Sequence, residues 1–482
     1  VNRQIRRLGV VLALLFTALF VNLNYIQVVQ ADKLAHDPRN GRIAFRDFNR
    51  PRGQILSSDG AVLARSVPSS GQFKLLRQYP EGQLFAHLTG FFSFTYGNEG
   101  VEQHYNSDLA AHRPTTVTNL KEVLTAGERT SNVTLSLSKK LQQVAADKLG
   151  SRKGAVVALD PRSGAVLALW SYPSYDPNPL SSHDQQAVRS AHDALGKDPA
   201  QPMLPRTFRR SYFPGSTFKV VTSATVLDRA PELATRSYPV LRQLPLPQST
   251  SPLSNFGGES CGGVLPDLLK VSCNTGFAQI GLDLGGDKLS AEAKGFGFDS
   301  RPPLDLPATA TSFFPEASAF AHDKPALAKS AIGQQDVQAT PLEMALVASA
   351  IANGGVIMKP HVMAEVRDDQ GNVVRTAKPE SWMQATSPQT AAQVRDFMVG
   401  VVQGGTATGA AIPGVQVAAK TGTAQTEGDN AHAWLVAFAP AEAPTVAVAV
   451  IVESQPGLGD NVTGGRVAAP IAKAVLQAAL GR

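Results

Sequence analysis

Between Arg7 and Asp32 the chain carries no charged side chain for 24 residues, "LGVVLALLFTALFVNLNYIQVVQA", and Arg3, Arg6 and Arg7 stand just before that run. About 20 apolar residues in helical form cross the hydrocarbon core of a bilayer. Arginines on one flank, with no acid among them, hold that end on the cytoplasmic side. A cleaved leader would have an apolar core of only about 7–15 residues and a small-x-small site after it. Asn22, Asn24 and Tyr25 occupy the place where cleavage would fall. The expectation is an uncleaved single-pass anchor in the cell membrane over residues 1–31, N-terminus cytoplasmic, with everything after about residue 32 outside. The alternative, a helix buried in a soluble core, fits a run of this length poorly.

That placement governs the two cysteines, Cys261 and Cys273. Twelve positions apart in an exported domain, they are candidates for a local disulfide; the alternative is two small buried thiols. The oxidising compartment favours the bond. No Cys/His cluster has metal-ligand spacing, so neither a metal nor another cofactor is expected. The formal charge of +6 is spread over 482 residues without a Lys/Arg block, which argues against a nucleic-acid partner. The length allows two or three domains with a sizeable core.

Beyond the anchor, residues 32–130 are mixed. "NRPRGQILSSDGAVLARS" (Asn49–Ser66) reads as strand, Ser-Ser-Asp-Gly turn, strand, and "YPEGQLFAHLTGFF" and "GNEGVEQHYNSDLAAH" as short helices or turns. No nucleophile–base pattern stands out there, and the segment reads as a non-catalytic pedestal. From residue 131 the pattern changes. Val133, Leu135 and Leu137 alternate as in a strand, and a helix begins near Ser138 with Leu141, Val144, Ala145 and Leu149 on one face. Two apolar runs flank Asp160–Gly164, a hairpin signature. "LEMALVASAIANGG" is a helix stopped by Asn353-Gly354-Gly355. "VQVAAKTGTAQ", "AHAWLVAFAP" and "TVAVAVIVES" are three β-rich runs, and "VAAPIAKAVLQAAL" a closing amphipathic helix. Strands at both ends and helices between predict an α+β domain over 131–482, its sheet assembled from both ends.

The run "SYFPGSTFKVVTS" places Ser216 three residues before Lys219. On a helix starting at Pro214-Gly215 the two share a face, so the amine can reach the hydroxyl. Phe213, Phe218, Val220 and Val221 surround the lysine with apolar groups, and burial lowers a lysine pKa until the amine can act as a base. Alone the pattern is weak, since Ser136/Lys139 repeats it. Two further elements follow in order: Ser272-Cys273-Asn274, the only Ser-x-Asn, and Lys420-Thr421-Gly422, the only Lys-Thr-Gly, spaced by 56 and 148 positions. Ser272 can relay a proton to a leaving amine. Asn274 can hydrogen-bond a substrate amide. Lys420 can attract a carboxylate that the hydroxyls of Thr421 and Thr423 also bind. Gly422, with no side chain, lets an extended peptide lie along its strand. The N–H groups of Thr423 and Ser216 suit an oxyanion hole. His432, Glu102 and Asp160 read as structural: a packed ring, an inter-segment hydrogen bond and a turn residue.

Together these residues resemble a class B penicillin-binding protein, and the resemblance runs over nearly the whole chain. "RGQILSSDGAVLA" is similar to the juxtamembrane motif of the class B pedestal and "GNEGVEQHYNSDL" to its Gly-x-Glu segment. "YFPGSTFK", "SCNT", "AIGQQDVQATPLEMA", "AAKTGTAQ" and "GGRVAAPI" match the transpeptidase domain in order. Ala419, where the family often has Gly, and Gln335, where Gly is common, are the departures. The resemblance implies a β-lactamase/transpeptidase-like fold: a five-stranded antiparallel sheet with flanking helices plus a helical subdomain. It implies a D,D-transpeptidase that takes peptidoglycan stem peptides, a D-Ala-D-Ala donor and an amine acceptor, through an acyl-enzyme on Ser216. It implies inhibition by β-lactam antibiotics and a role in cell-wall synthesis and division. It also implies division or elongation proteins and a glycosyltransferase as partners, with no glycosyltransferase domain in this chain.

Rival readings are a D,D-carboxypeptidase or β-lactamase, in which water takes the acyl group, and a silent penicillin-binding scaffold or sensor. The Glu-x-x-Leu-Asn pattern that positions water in one β-lactamase class is absent. A sensor would need a signalling domain across the membrane, and only about seven residues precede the apolar run.

Overall fold

The uncharged N-terminal run forms one helix, α1 (Asn2–Asn24), continued by a π-helical turn to Val29. In this computed structural model residues 2–30, 45–111, 129–425, 431–454 and 463–482 are described. Among them, Arg3–Val29 is the one helix long and apolar enough to cross a membrane. Leu14, Phe16 and Leu19 are 64%, 70% and 66% exposed, so this apolar surface is not spent on packing against the rest of the chain.

The first strands are β1 (Ile55–Leu56), β2 (Val62–Pro68) and β3 (Leu75–Gln78). The expected Ser-Ser-Asp-Gly turn joins β1 to β2, with Gly60 at φ +81° and the Ser57 N–H donating to the Ala61 carbonyl at 2.9 Å. β4 (Ser131–Leu135) follows, then α2 (Lys139–Leu149), then the hairpin strands β5 (Gly154–Leu159) and β6 (Val166–Tyr172). Next come α3 (Lys219–Arg229), α4 (Asn274–Leu284) and α5 (Pro341–Ala352). They are followed by β7 (Met363–Asp368), β8 (Val373–Thr376) and α6 (Pro388–Gly404). The chain closes with β9 (Ala418–Gln425), β10 (Ala431–Ala439), β11 (Val446–Val452) and α7 (Ala469–Ala479).

One sheet has the order β9-β10-β11-β5-β6, every neighbour antiparallel. This is the five-stranded antiparallel sheet that the resemblance implies, built, as the strand-like runs predict, from both ends of its domain. β11 is buried at every position, and its unbroken apolar run "VAVAVIV" reflects cover on both faces. α5 packs on one face, and α2 and α7 on the other. α5 is buried along nearly its whole length, as an all-round apolar helix must be. Thr340 caps it by accepting the Glu343 N–H, and Pro341 opens its first turn.

A second sheet has the order β8-β7-β4-β1-β2-β3. It draws strands from both sides of residue 130: β1 pairs in parallel with β4, and β4 antiparallel with β7. The turn after β1 reaches across as well. Asp59 accepts the N–H groups of Lys139 and Lys140 at 2.9 and 3.1 Å and the Ser138 hydroxyl at 2.9 Å, capping α2. Burial works against the Asp59 carboxylate, but these bonds and the Ser57 hydroxyl outweigh it and hold the carboxyl well below its usual range.

The pedestal is pinned by a buried ionic knot. Glu102 is fully buried and accepts Arg52 Nε on one oxygen and Arg77 Nε on the other, each at 2.6 Å. Arg52 also donates to the Glu102 carbonyl at 2.9 Å and Arg77 to the Gly53 carbonyl at 2.8 Å. Burial opposes the charge on Glu102, yet the two guanidiniums keep its carboxyl below the ordinary value. Glu102→Ala leaves two interior cations facing each other. The expected outcome is a loss of about 3–5 kcal/mol of pedestal stability, seen as an earlier transition when the detergent-solubilised chain is unfolded thermally. An unchanged transition would show that the guanidiniums find other partners.

Candidate active site

Ser216 lies in a 3-10 turn, Gly215–Phe218, that runs directly into α3. Gly215 sits at φ +53°, a value a side chain resists, and its N–H donates to the Gly333 carbonyl at 2.9 Å. The turn leaves Ser216 half-buried and puts Lys219 at the head of α3, fully buried. The spacing predicts a shared face for the two, but the amine bonds elsewhere. Lys219 Nζ donates to the Ser272 carbonyl at 2.7 Å, to Asn274 Oδ1 at 2.8 Å and, longer, to Ser272 Oγ at 3.4 Å. The Phe277 ring lies beside it, centroid 5.3 Å away.

Lys420 arrives from the far side. It sits in β9, at the edge of the five-stranded sheet, and donates to Ser272 Oγ at 2.8 Å and to the Thr421 carbonyl at 2.8 Å. One hydroxyl, Ser272 Oγ, therefore bridges two interior amines. Burial pushes the Lys219 amine well below its ordinary value, and the charge of Lys420 pushes the same way. Burial alone brings Lys420 down to about 7. Burial thus holds both amines below the ordinary lysine value. Ser272 holds φ +60°, costly for a residue with a side chain. Its neighbour Cys273 is bonded to Cys261, so the middle of the Ser-x-Asn turn is tied to the two-stranded ribbon of Cys261–Gly263 and Tyr238–Leu241. Asn274 also donates to the Ser254 carbonyl at 3.2 Å.

The two faces of β9 have different neighbours. Lys420 and Gly422 face the serine turn. A Cβ on Gly422 would meet the Pro214 carbonyl oxygen, Thr217 Cγ2 and Trp434 Cβ, each at 3.0 Å. The missing side chain thus also makes room on the inner face for the turn carrying Ser216. The Thr421 hydroxyl lies 2.6 Å from that of Thr406. Thr423 is half-buried in the same strand. The outer edge of β9 has no strand partner among the described residues.

Two contributors escape a sequence reading. Thr406 orients the Thr421 hydroxyl and has no motif of its own. Glu453 accepts Arg206 Nε at 2.9 Å and the Tyr212 hydroxyl at 2.6 Å, bracing the segment that leads into the serine turn. Arg206 and Glu453 are 247 positions apart, beyond any local signal. The residues read as structural have structural surroundings. His432 Nδ1 accepts the Ser454 N–H at 2.9 Å and meets the Tyr212 ring edge-on. Asp160 accepts the Arg162 N–H in its turn. In the second Ser-x-x-Lys, Ser136 donates to the Val166 carbonyl and Lys139 pairs with Glu81. Among the described residues no group of three or more His, Cys, Asp or Glu could hold a metal.

Comparison with known proteins gives a consistent picture. Residues 154–477 match the penicillin binding protein transpeptidase domain, and residues 52–133 the penicillin binding protein A dimerisation domain. The chain is 41% identical over 499 aligned residues to the peptidoglycan D,D-transpeptidase PbpA of Mycolicibacterium smegmatis, covering 99% of each. It is 40% identical to PbpA of Mycobacterium tuberculosis, again over 99% of each. The structure of penicillin-binding protein A from M. tuberculosis as a ceftriaxone acyl-enzyme complex superposes with a TM-score of 0.82. That neighbour is 39% identical, and the match covers 90% of this chain and 100% of it.

Because any atom added at Gly422 presses on the serine turn, Gly422→Ala is expected to slow acylation by penicillin roughly tenfold or more. Stopped-flow measurement of acylation, beside a melting curve to show the fold intact, checks this. A rate within about twofold of wild type would mean that the turn has room to shift.

Proposed function

The chain belongs to the penicillin-binding protein transpeptidase family, and on that premise we propose how its own residues carry out the reaction. The protein is a serine-type peptidoglycan D,D-transpeptidase. Ser216 Oγ attacks the carbonyl carbon of the penultimate D-alanine of a donor stem peptide, and neutral Lys219 takes the hydroxyl proton. The oxyanion collects between the N–H groups of Ser216 and Thr423. The C–N bond to the terminal D-alanine breaks, and its nitrogen takes a proton through Ser272, the hydroxyl held between the two amines. The amine of a second peptide then attacks the ester carbon. The C–Oγ bond breaks and the amine's proton returns through Ser272 to Ser216 Oγ. Asn274 holds the donor amide. Lys420, with the hydroxyls of Thr421 and Thr423, receives the donor carboxylate, and the unpaired edge of β9 accepts its backbone. β-Lactams enter by the same route and stop at the acyl-enzyme.

The observation that carries this reading is the position of Ser272 Oγ, 2.8 Å from Lys420 Nζ and 3.4 Å from Lys219 Nζ. It joins three motifs that lie far apart along the chain. Membrane attachment follows from α1, and the arginines before its apolar run favour a cytoplasmic N-terminus with the catalytic domain outside. Docking of division or elongation proteins, with a glycosyltransferase among them, is assigned to the pedestal. A hydrolytic D,D-carboxypeptidase or β-lactamase remains the competing outcome in the same pocket.

Intact-protein mass spectrometry after exposure to penicillin tests the assignment. A stable adduct mapped to Ser216, and absent in Ser216→Ala, is expected; an acyl group elsewhere, or one lost within seconds, would overturn it. The pH profile is a second check. Acylation should rise with pH as Lys219 loses its proton. It should fall above about pH 7 as Lys420 loses its charge and with it the carboxylate contact. A rate still climbing at pH 9 would remove Lys420 from that role.

A further inference from the structure

Glu292 is an interior carboxylate with only one of its oxygens bonded. Oε2 accepts Arg229 Nε at 2.7 Å, while Oε1 has no hydrogen-bond partner among the described residues, and the side chain is 2% exposed. A buried acceptor left open costs free energy that a donor would recover. Glu292 lines a cavity of about 490 Å³ with Asp228, Arg229, Gln384, Ala385 and Pro388 among others, and Arg229 is the only basic side chain in that lining. Asp228 and Arg229 lie in the last turn of α3, and Glu292 belongs to the helix Gly286–Gly295 that packs on α3. Asp228 stands nine positions beyond Lys219, about 14 Å along the axis at 1.5 Å per residue. The cavity is therefore separate from the catalytic cleft.

The wall of the cavity is built to hold negative charge. Asp228 accepts the hydroxyls of Ser387 at 3.0 Å and Thr390 at 2.6 Å on one oxygen and that of Thr386 on the other. Burial works against the Asp228 charge, but these hydroxyls keep its carboxyl below the usual range. Gln384 spends its amide nitrogen on the Thr386 carbonyl at 2.6 Å, which leaves its oxygen for an occupant. We propose that this cavity binds a primary alkylammonium group, which donates to Glu292 Oε1 and Gln384 Oε1 with the Asp228 carboxylate beside it. Two carboxylates against one guanidinium favour a cation. One water needs about 30 Å³, so the cavity also holds the carbon body behind the ammonium, and Ala385 and Pro388 give that body apolar surface. An anion would face both carboxylates. A bare metal ion would find too few ligands, since among the described residues no three His, Cys, Asp or Glu side chains gather to hold one.

The test is a ligand-observed NMR titration of the detergent-solubilised full chain with n-butylammonium chloride. Saturable binding is expected, weakened about tenfold in Glu292→Gln, which keeps an acceptor for Arg229 and loses the charge. Absence of saturable binding, or equal binding by the variant, overturns the site. Tetramethylammonium has the same charge and no N–H to donate, so it should bind about tenfold or more weakly. Equal binding of the two cations overturns the hydrogen-bonded seat. Retained penicillin acylation shows that the variant has folded. If Glu292→Gln does not fold, Gln384→Arg, at an exposed position, carries the test. It places a guanidinium in the cavity and is expected to abolish butylammonium binding, and undiminished binding overturns the proposal. Burial pushes the Glu292 carboxyl up to about 7, with Arg229 pulling it down and the Asp228 charge adding to the rise. The neutral carboxyl lacks the charge that the ammonium seeks, so affinity should rise up to about tenfold from pH 6 to pH 8. A flat profile would remove Glu292 from the seat.

Discussion

Two lysine amines lie in the interior on either side of one serine hydroxyl, with no carboxylate bonded to either among the described residues. Taking an unpaired ammonium out of water costs several kcal/mol, and two side by side cost more through repulsion. The interior tolerates the pair only because protons leave it, and that is the condition a serine acylase needs. Much of the nearby architecture serves to keep the amines dry and apart. α3 buries Lys219 at its head, the edge strand β9 brings Lys420, and the Ser272–Asn274 turn supplies acceptors for both. A carboxylate in the same place would stabilise the fold and lock both amines as cations.

The backbone around these side chains is packed through glycine. Gly215 meets Gly333 by a hydrogen bond, Gly422 leaves room for the Pro214 carbonyl, and a Cβ on Gly464 would lie 2.1 Å from the Trp434 carbonyl oxygen. At each of these points main chain touches main chain, and a methyl group has nowhere to go. Positions of reacting atoms are thereby set by backbone, which shifts less than side chains do.

What was legible in advance was local. The anchor showed as a gap between charges, the α5 stop as Asn-Gly-Gly, and the three motifs as short strings whose order carried the meaning. A sheet drawn from both ends of the domain followed from the strand-like runs there, and its antiparallel order from the family resemblance. Less legible was anything held by long-range contact. Nothing beside Thr406 announces that its hydroxyl meets Thr421, and nothing beside Glu453 points to Arg206. The role expected of Gly422 concerned a peptide along the strand, and nothing in the sequence pointed to the turn packed on its inner face. Likewise β7 lies within the domain expected from residue 131 onward, yet it hydrogen-bonds to β4 in the pedestal sheet.

That last pairing bears on how the molecule comes into being. Ser136 accompanies Val362 where β4 leaves the sheet, 226 positions further along the chain. A polypeptide made from its N-terminus presents the free edge of β4 long before β7 is there to cover it. For that interval the nascent pedestal presents an open strand edge, the kind of edge that recruits any neighbouring strand. The time that passes before β7 arrives would then bear on the yield of folded molecules.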